Sequence, residues 1–142
     1  MIKQKIVVTN GCFDILHVGH IQLLQEAKEH GDILIVLVNT DESVKRLKGD
    51  SRPVNSLEDR MTMLRAIQWV DLVIPFHEDT PLKVIEDLKP DVLVKGGDYQ
   101  LKDIVGADFV ISRGGEVVIV PMVKGKSTTN ILNKINGTTN AE

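Results

Sequence analysis

The sequence predicts an α/β, doubly wound domain whose five-stranded parallel sheet is flanked by helices. Three observations predict it. Five short apolar runs are rich in β-branched residues and nearly continuous, as strands buried on both faces must be. The segments between them carry apolar residues at helical spacing. Several runs end in polar or glycine-bearing stretches, at the carboxyl ends where open α/β sheets bind ligands.

The elements follow in order. "KIVVT", Lys5–Thr9, is the first strand. A helix follows with His20, Leu23, Leu24 and Ala27 on one face, and Gly31 stops it. "ILIVLVN", Ile33–Asn39, is the second strand, and Lys48–Ser56 is the longest irregular stretch. A helix then starts near Leu57, with Arg60, Met63, Leu64 and Ile67 in helical register. "LVIPF", Leu72–Phe76, is the third strand. In "DTPLKVIEDLKP", Thr80 can cap, Pro81 suits the first helical position, and Val84, Ile85 and Leu88 form the apolar face. "DVLVK", Asp91–Lys95, is the fourth strand, and "DIVGADFVISRGG" is a weaker helix ending at Gly114–Gly115. "EVVIV", Glu116–Val120, is the fifth strand. Ser127 then caps a terminal helix that turns Ile131, Leu132 and Ile135 inward. Residues 1–136 form a single Rossmann-like domain, and 137–142 are a polar tail.

Bulk properties narrow the partners. The chain has 142 residues, 42% of them hydrophobic and 26% charged, as in ordinary globular domains. A net charge of -3 gives no general attraction to nucleic acid or anionic membrane, so an anionic ligand needs a local set of donors. One cysteine makes no internal disulfide, and no apolar run reaches the roughly 20 residues that span a bilayer. No signal peptide is visible, and the expected location is the cytoplasm.

The densest chemistry lies just after the first strand, in "NGCFDILHVGH", Asn10–His20. Cys12, Asp14, His17 and His20 could ligate a metal, but four ligands within nine residues would make a compact knuckle, usually richer in cysteine. His30 and His77 lie at a helix end and after a strand, with no paired partner nearby. No metal site is assigned. Cys12 alone could be a nucleophile activated by a helix start and a histidine, or simply a small residue packed under the turn. A phosphate cradle uses more of the stretch. Gly11 permits a tight turn, Gly19 lets an anion approach the first helical turn, and His17 and His20 can point to one side as donors.

"GCFDILHVGH" resembles the H-x-G-H signature of the nucleotidyltransferase superfamily that includes the cytidylyltransferases. The similarity continues through "VNTDESVKRLKGDSRPVNSLEDR", "VDLVIPFHEDTP", "PDVLVKGGDY" and "GKSTTNIL". These look closest to its branch of D-glycero-β-D-manno-heptose 1-phosphate adenylyltransferases. That activity often forms the carboxyl-terminal half of an enzyme joined to a sugar kinase. This chain is too short for a kinase and would be a stand-alone form or an excised domain.

The resemblance implies transfer of AMP from ATP to the sugar phosphate, with release of pyrophosphate and formation of an ADP-heptose for surface glycan. It implies that His17 and His20 hold the triphosphate and stabilise the transition state, and that Lys48 acts with them. Asn10, Gly11, Phe13 and Gly19 would wall the nucleotide site, and Ser127 and Thr128 would take its outer phosphates. Lys95, Gly96, Gly97 and Asp98 would serve the base and ribose, with Lys95 also a possible acceptor contact. Asp14 and Arg52 would bind the acceptor, Arg52 from a loop that also carries Lys48 and closes over the site. Arg60 is either structural or phosphate-facing. Magnesium would arrive with the ATP, and the chain would be a homodimer or larger homo-oligomer, with no nucleic acid and no membrane as partner. Many cytidylyltransferases carry an acidic residue where this chain has Gly97, which weakens a CTP reading. Glycerol-3-phosphate cytidylyltransferase activity is the nearest enzyme alternative. A nucleotide-binding module without catalysis and a thiol or metal enzyme built on Cys12 are the alternatives of other classes.

Overall fold

The computed structural model describes residues 3–121 and 128–135. Five strands, β1 (Ile6–Gly11), β2 (Ile33–Asn39), β3 (Leu72–Phe76), β4 (Val92–Gly96) and β5 (Glu116–Val120), form one sheet in the order β3-β2-β1-β4-β5. Every pairing is parallel. The chain starts in the middle strand, runs out to one edge, then returns to build the other half. The order therefore reverses between β1 and β4, the crevice where such sheets place ligands.

Both faces are covered. Val7 packs with Leu24 and Ala27 of α1 (Val18–Glu29) and with Leu64 of α3 (Leu57–Arg65). Val8, its neighbour on β1, packs instead with Ile85 of α4 (Leu82–Leu88) and Ala107 and Val110 of α5 (Ala107–Ser112). This alternation assigns each residue of β1 to a face. Asn10 therefore points with Val8 toward α4 and α5, whereas Thr9 and Gly11 share the α1 face with Val7.

Register is pinned at the amino ends by three aspartates, one directly before each of β2, β3 and β4. Asp32 accepts from Lys5 N at 2.7 Å, Asp71 from Leu34 N at 2.8 Å and Asp91 from Ile6 N at 2.8 Å. Each carboxylate thus bonds a backbone donor of the neighbouring chain segment. Two glycines sit where helices turn back into strands. A Cβ on Gly31 would come within 2.8 Å of the Lys5 carbonyl oxygen, and one on Gly115 within 2.7 Å of the Asp91 carbonyl oxygen.

Four details differ from the sequence reading. An additional helix, α2 (Asp41–Lys48), follows β2 and carries Lys48 as its last residue. It has few apolar positions, Val44 and Leu47, but its signals were present: a Thr40 cap, acids in the first turn, bases in the last. The α4 helix begins one residue later than expected, with Pro81 at the cap position and no side-chain capping bond. Met63 of α3 is exposed, because Arg60 and Leu64 define the inward stripe. In α6 (Thr128–Ile135), Ile131 and Leu132 are half-buried but Ile135 is 72% exposed at the helix end.

Candidate active site

The chain leaves β1 at Gly11 and enters α1 through a turn held by its own side chains. Phe13 takes φ +49°, a left-handed conformation costly for a bulky residue. Packing offsets the cost: Phe13 is 4% exposed, and its ring lies 5.1 Å from that of His20. Gly11 makes the fit possible, since a Cβ there would come within 3.0 Å of the Phe13 ring. Phe13 is therefore packed beneath His20 and is not among the residues lining the cleft.

His17 is the N-cap of α1 and is extended, with φ -143° and ψ 177°. Its Nδ1 accepts from Gly19 N at 3.1 Å, and His20 Nδ1 accepts from His17 N at 3.3 Å. The reciprocal pair is a capping box made of two histidines. Because each Nδ1 accepts a backbone N–H, each neutral ring carries its proton on Nε2. The rings stack at 3.9 Å. Burial, followed by the nearness of His17, pushes the His20 pKa down to about 4. At neutral pH His20 is thus an uncharged N–H donor on a preorganised helix start.

Asp14 is buried, 2% exposed, and spends its carboxylate on the segment before α3. It accepts from Arg52 Nε at 2.8 Å, from Val54 N at 2.8 and 2.9 Å, and from Asn55 N at 2.9 Å. Asn55 Nδ2 returns a bond to the Asp14 carbonyl oxygen at 2.7 Å. Burial pushes the Asp14 carboxyl up, but the Asn55 and Val54 N–H groups and the Arg52 guanidinium together hold it below its ordinary value. The acceptor contact expected of Asp14 is corrected accordingly: it is a latch that sets the Arg52 loop.

Asp14→Asn is expected to destabilise the fold by about 3 kcal/mol, because an amide NH2 then faces N–H donors and Arg52 loses its partner. Urea denaturation measures this. The lowered pKa makes the wild-type contribution fully present above the ordinary carboxylate range and lost as pH falls through the folded value. The mutant should therefore lose less stability than wild type on acidification.

Arg60 is the second latch, 1% exposed although it is charged. From α3 it donates to the carbonyl oxygens of Asn55 at 3.0 Å, Cys12 at 2.8 Å and Asn39 at 2.7 Å, and to Asp41 Oδ1 at 2.7 Å. One guanidinium thus ties together the loops after β1 and β2 and the start of α3. Its role is structural rather than phosphate-facing. Asn39 adds a neutral tie, bonding Ser43 Oγ at 3.0 Å, while Ser43 Oγ donates to the Glu78 carbonyl oxygen at 3.0 Å.

Across β1 from the histidines, a cleft of about 410 Å³ opens over the carboxyl ends of the strands. Asn10, Cys12, Asn39, Lys48, Lys95 and Tyr99 are among its lining residues. Cys12 Sγ lies 3.7 Å from Asn39 Oδ1, and burial pushes its thiol up, which disfavours the nucleophilic thiolate. Lys95, the penultimate residue of β4, has its Nζ 5.2 Å from the Tyr99 ring centroid. Burial pushes its ammonium pKa down; Cys12 opposes this and Lys48 adds to it.

The sequence candidates therefore divide. Asn10, Gly11, Lys48 and Lys95 meet at the cleft, and His17, Gly19 and His20 form the helix start on the α1 face. Gly96 serves packing: a Cβ there would lie 3.2 Å from Leu23 of α1. Gly97 turns the chain at φ +122° and donates to the Val120 carbonyl oxygen at 2.9 Å, and Asp98 is exposed beside it. Thr128 is the first residue of α6, and Ser127 lies outside the described residues. Tyr99, Asn39 and Thr80 line the cleft but were absent from the sequence candidates. Asn39 carried a signal, as a polar residue closing an otherwise apolar strand.

A family model described as cytidylyltransferase-like matches residues 8–132. Two proteins named bifunctional protein HldE are similar: that of Campylobacter fetus is 60% identical over 92% of this chain, and that of Marinomonas 59% over 94%. This chain spans 28% of the length of each. A solved structure titled lipopolysaccharide core biosynthesis protein, from Thermoplasma volcanium, superposes with a TM-score of 0.67 at 33% identity, covering 86% of this chain and 98% of that one. A pantoate-β-alanine ligase from Francisella tularensis shares the fold, with a TM-score of 0.61 at 22% identity, over 96% of this chain and 72% of that one.

Proposed function

Because the chain belongs to the cytidylyltransferase-like family and is a nucleotidyltransferase, we propose that it transfers AMP from ATP to D-glycero-β-D-manno-heptose 1-phosphate. The product would be ADP-heptose. The observation that carries the reaction type is the pair of Nε2-protonated histidines at the α1 start, with Lys48 and Lys95 lining the cleft across β1 from them. The sugar rests on the sequence resemblance and on the solved structure whose title names lipopolysaccharide core biosynthesis.

A phosphate oxygen of the sugar attacks the α-phosphorus of ATP in line. The bond from that phosphorus to the α–β bridging oxygen breaks, and pyrophosphate leaves with the electron pair. No covalent enzyme intermediate is needed, so the protein contributes position and charge stabilisation. His17 and His20 donate to the triphosphate oxygens, where negative charge grows. Lys48 and Lys95 hold the acceptor phosphate on the other side of β1. Arg52, oriented by Asp14, adds positive charge for the acceptor, and Thr128 at the α6 start serves the outer phosphates with Ser127. Gly97 and Asp98 flank the base and ribose.

No group of three His, Cys, Asp or Glu side chains converges to cage a metal among the described residues. Magnesium would be carried by the triphosphate, whose charge it would help to neutralise. No residue of this chain is assigned to hold it. Among the described residues no helix is long and apolar enough to cross a membrane.

The test is pyrophosphate release from each nucleoside triphosphate paired with heptose 1-phosphate, hexose 1-phosphate or glycerol 3-phosphate. ATP with heptose 1-phosphate should give the highest kcat/KM. A preference for CTP with glycerol 3-phosphate would move the assignment to that cytidylyltransferase.

A further inference from the structure

We propose that Tyr99 is a positioning residue that holds Lys95 ready for the acceptor phosphate; this rests on the nucleotidyltransferase reading above. Lys95 extends from the carboxyl end of β4 into the cleft and is half-buried there. It makes no ion pair with a carboxylate among the described residues. Burial disfavours its charge, Cys12 partly offsets this, and Lys48 repels it. A half-buried ammonium without a counter-ion is costly, and its one described partner is the face of Tyr99, 5.2 Å from Nζ.

Tyr99 has little else to hold it there. Its side chain is 42% exposed, it belongs to neither core cluster, and its hydroxyl makes no hydrogen bond among the described residues. The turn at Gly97, with φ +122° and a bond to the Val120 carbonyl oxygen, carries the chain round so that the ring meets Lys95 near the end of β4. The choice of partner matters physically. A carboxylate would also orient Lys95, but it would neutralise the charge and compete with an incoming phosphate. An aromatic face orients the ammonium and leaves its charge available. The device suits a lysine that must wait, charged and in place, for an anionic substrate.

The test compares Tyr99→Phe with Tyr99→Leu. Phenylalanine keeps the ring and should behave as wild type. Leucine should raise KM for the sugar phosphate roughly 3- to 30-fold. KM for ATP, kcat and the thermal midpoint should stay within about twofold or a few degrees of wild type. An unchanged sugar-phosphate KM in Tyr99→Leu, or an equal loss in Tyr99→Phe, overturns the inference. If wild type turns over no sugar phosphate at all, the functional reading fails and the pair is still testable. NMR titration of Lys95 Nζ should then give a midpoint lower by roughly half a pH unit or more in Tyr99→Leu than in Tyr99→Phe. Cys12, Lys48, Asp79 and Asp103 also line this cleft and are the same in both variants, so the difference isolates the ring. Equal midpoints overturn the proposal.

Discussion

Replacing His20 with alanine is expected to lower kcat by roughly 10²–10³-fold, the loss typical of one preorganised donor to developing negative charge. The fold should survive. Alanine removes one half of the capping box, the bond from His17 N to His20 Nδ1, which costs about 1 kcal/mol. Stopped-time pyrophosphate release and a thermal melt separate the two effects: turnover should collapse while the midpoint moves only a few degrees. A loss below tenfold would remove His20 from the chemistry.

The protonation state of His20 gives this prediction a second edge. Its pKa is pushed down to about 4, from an ordinary value of 6.5, first by burial and then by His17. The folded state therefore binds fewer protons than the unfolded chain between those values. Stability contributed by neutral His20 is complete above pH 6.5 and is lost as pH falls toward 4. Protonation would also place a hydrogen on Nδ1, where the box needs an acceptor. The pH–rate profile should consequently show no acidic limb from His20 near 6.5. A histidine acting as a charged acid would produce one.

The largest expected loss of stability belongs to Arg60. Arg60→Leu is expected to cost about 3–5 kcal/mol, since it strips bonds from three carbonyl groups and takes the buried guanidinium away from the half-exposed Asp41. Arg60→Lys should recover only part of this, because a single ammonium cannot span acceptors that the guanidinium fork reaches at once. Urea denaturation of the three proteins gives the values. Activity should fall further than the folded fraction predicts, because the same bonds set the loops that carry Cys12 and Asn39 to the cleft. A destabilisation below 1 kcal/mol would show that the loops hold their positions without the guanidinium.

Much of this arrangement was legible from local patterns. The β-branched runs located all five strands to within about two residues at each end, because a strand buried on both faces leaves an uninterrupted apolar stretch. The α1 stripe of Leu23, Leu24 and Ala27 was equally plain, and so was the crowding of His17 and His20 at its start. The α2 helix escaped notice because a short helix with one buried apolar residue, Val44, scarcely registers as a stripe. Its caps and charges were the better signal.

Other residue types are ambiguous without their neighbours. Phe13 beside a glycine suggested a ligand wall, yet its positive φ turns the ring inward beneath His20. Asp14 suggested a substrate contact, yet backbone donors from residues 54 and 55 claim both oxygens. Nothing in "GGDY" indicates that the Tyr99 ring meets Lys95.

The sequence by itself determined the strand–helix alternation, the histidine-bearing helix start and the family, for these depend on residues near one another along the chain. Only the tertiary structure decided that the histidines and the lysines occupy opposite sides of β1. It alone made Arg60 the tie between Cys12, Asn39, Asp41 and Asn55. The reason is physical: periodicity records which way a side chain faces within its own element. Which distant loops meet depends on the strand order β3-β2-β1-β4-β5, and no local spacing encodes that order.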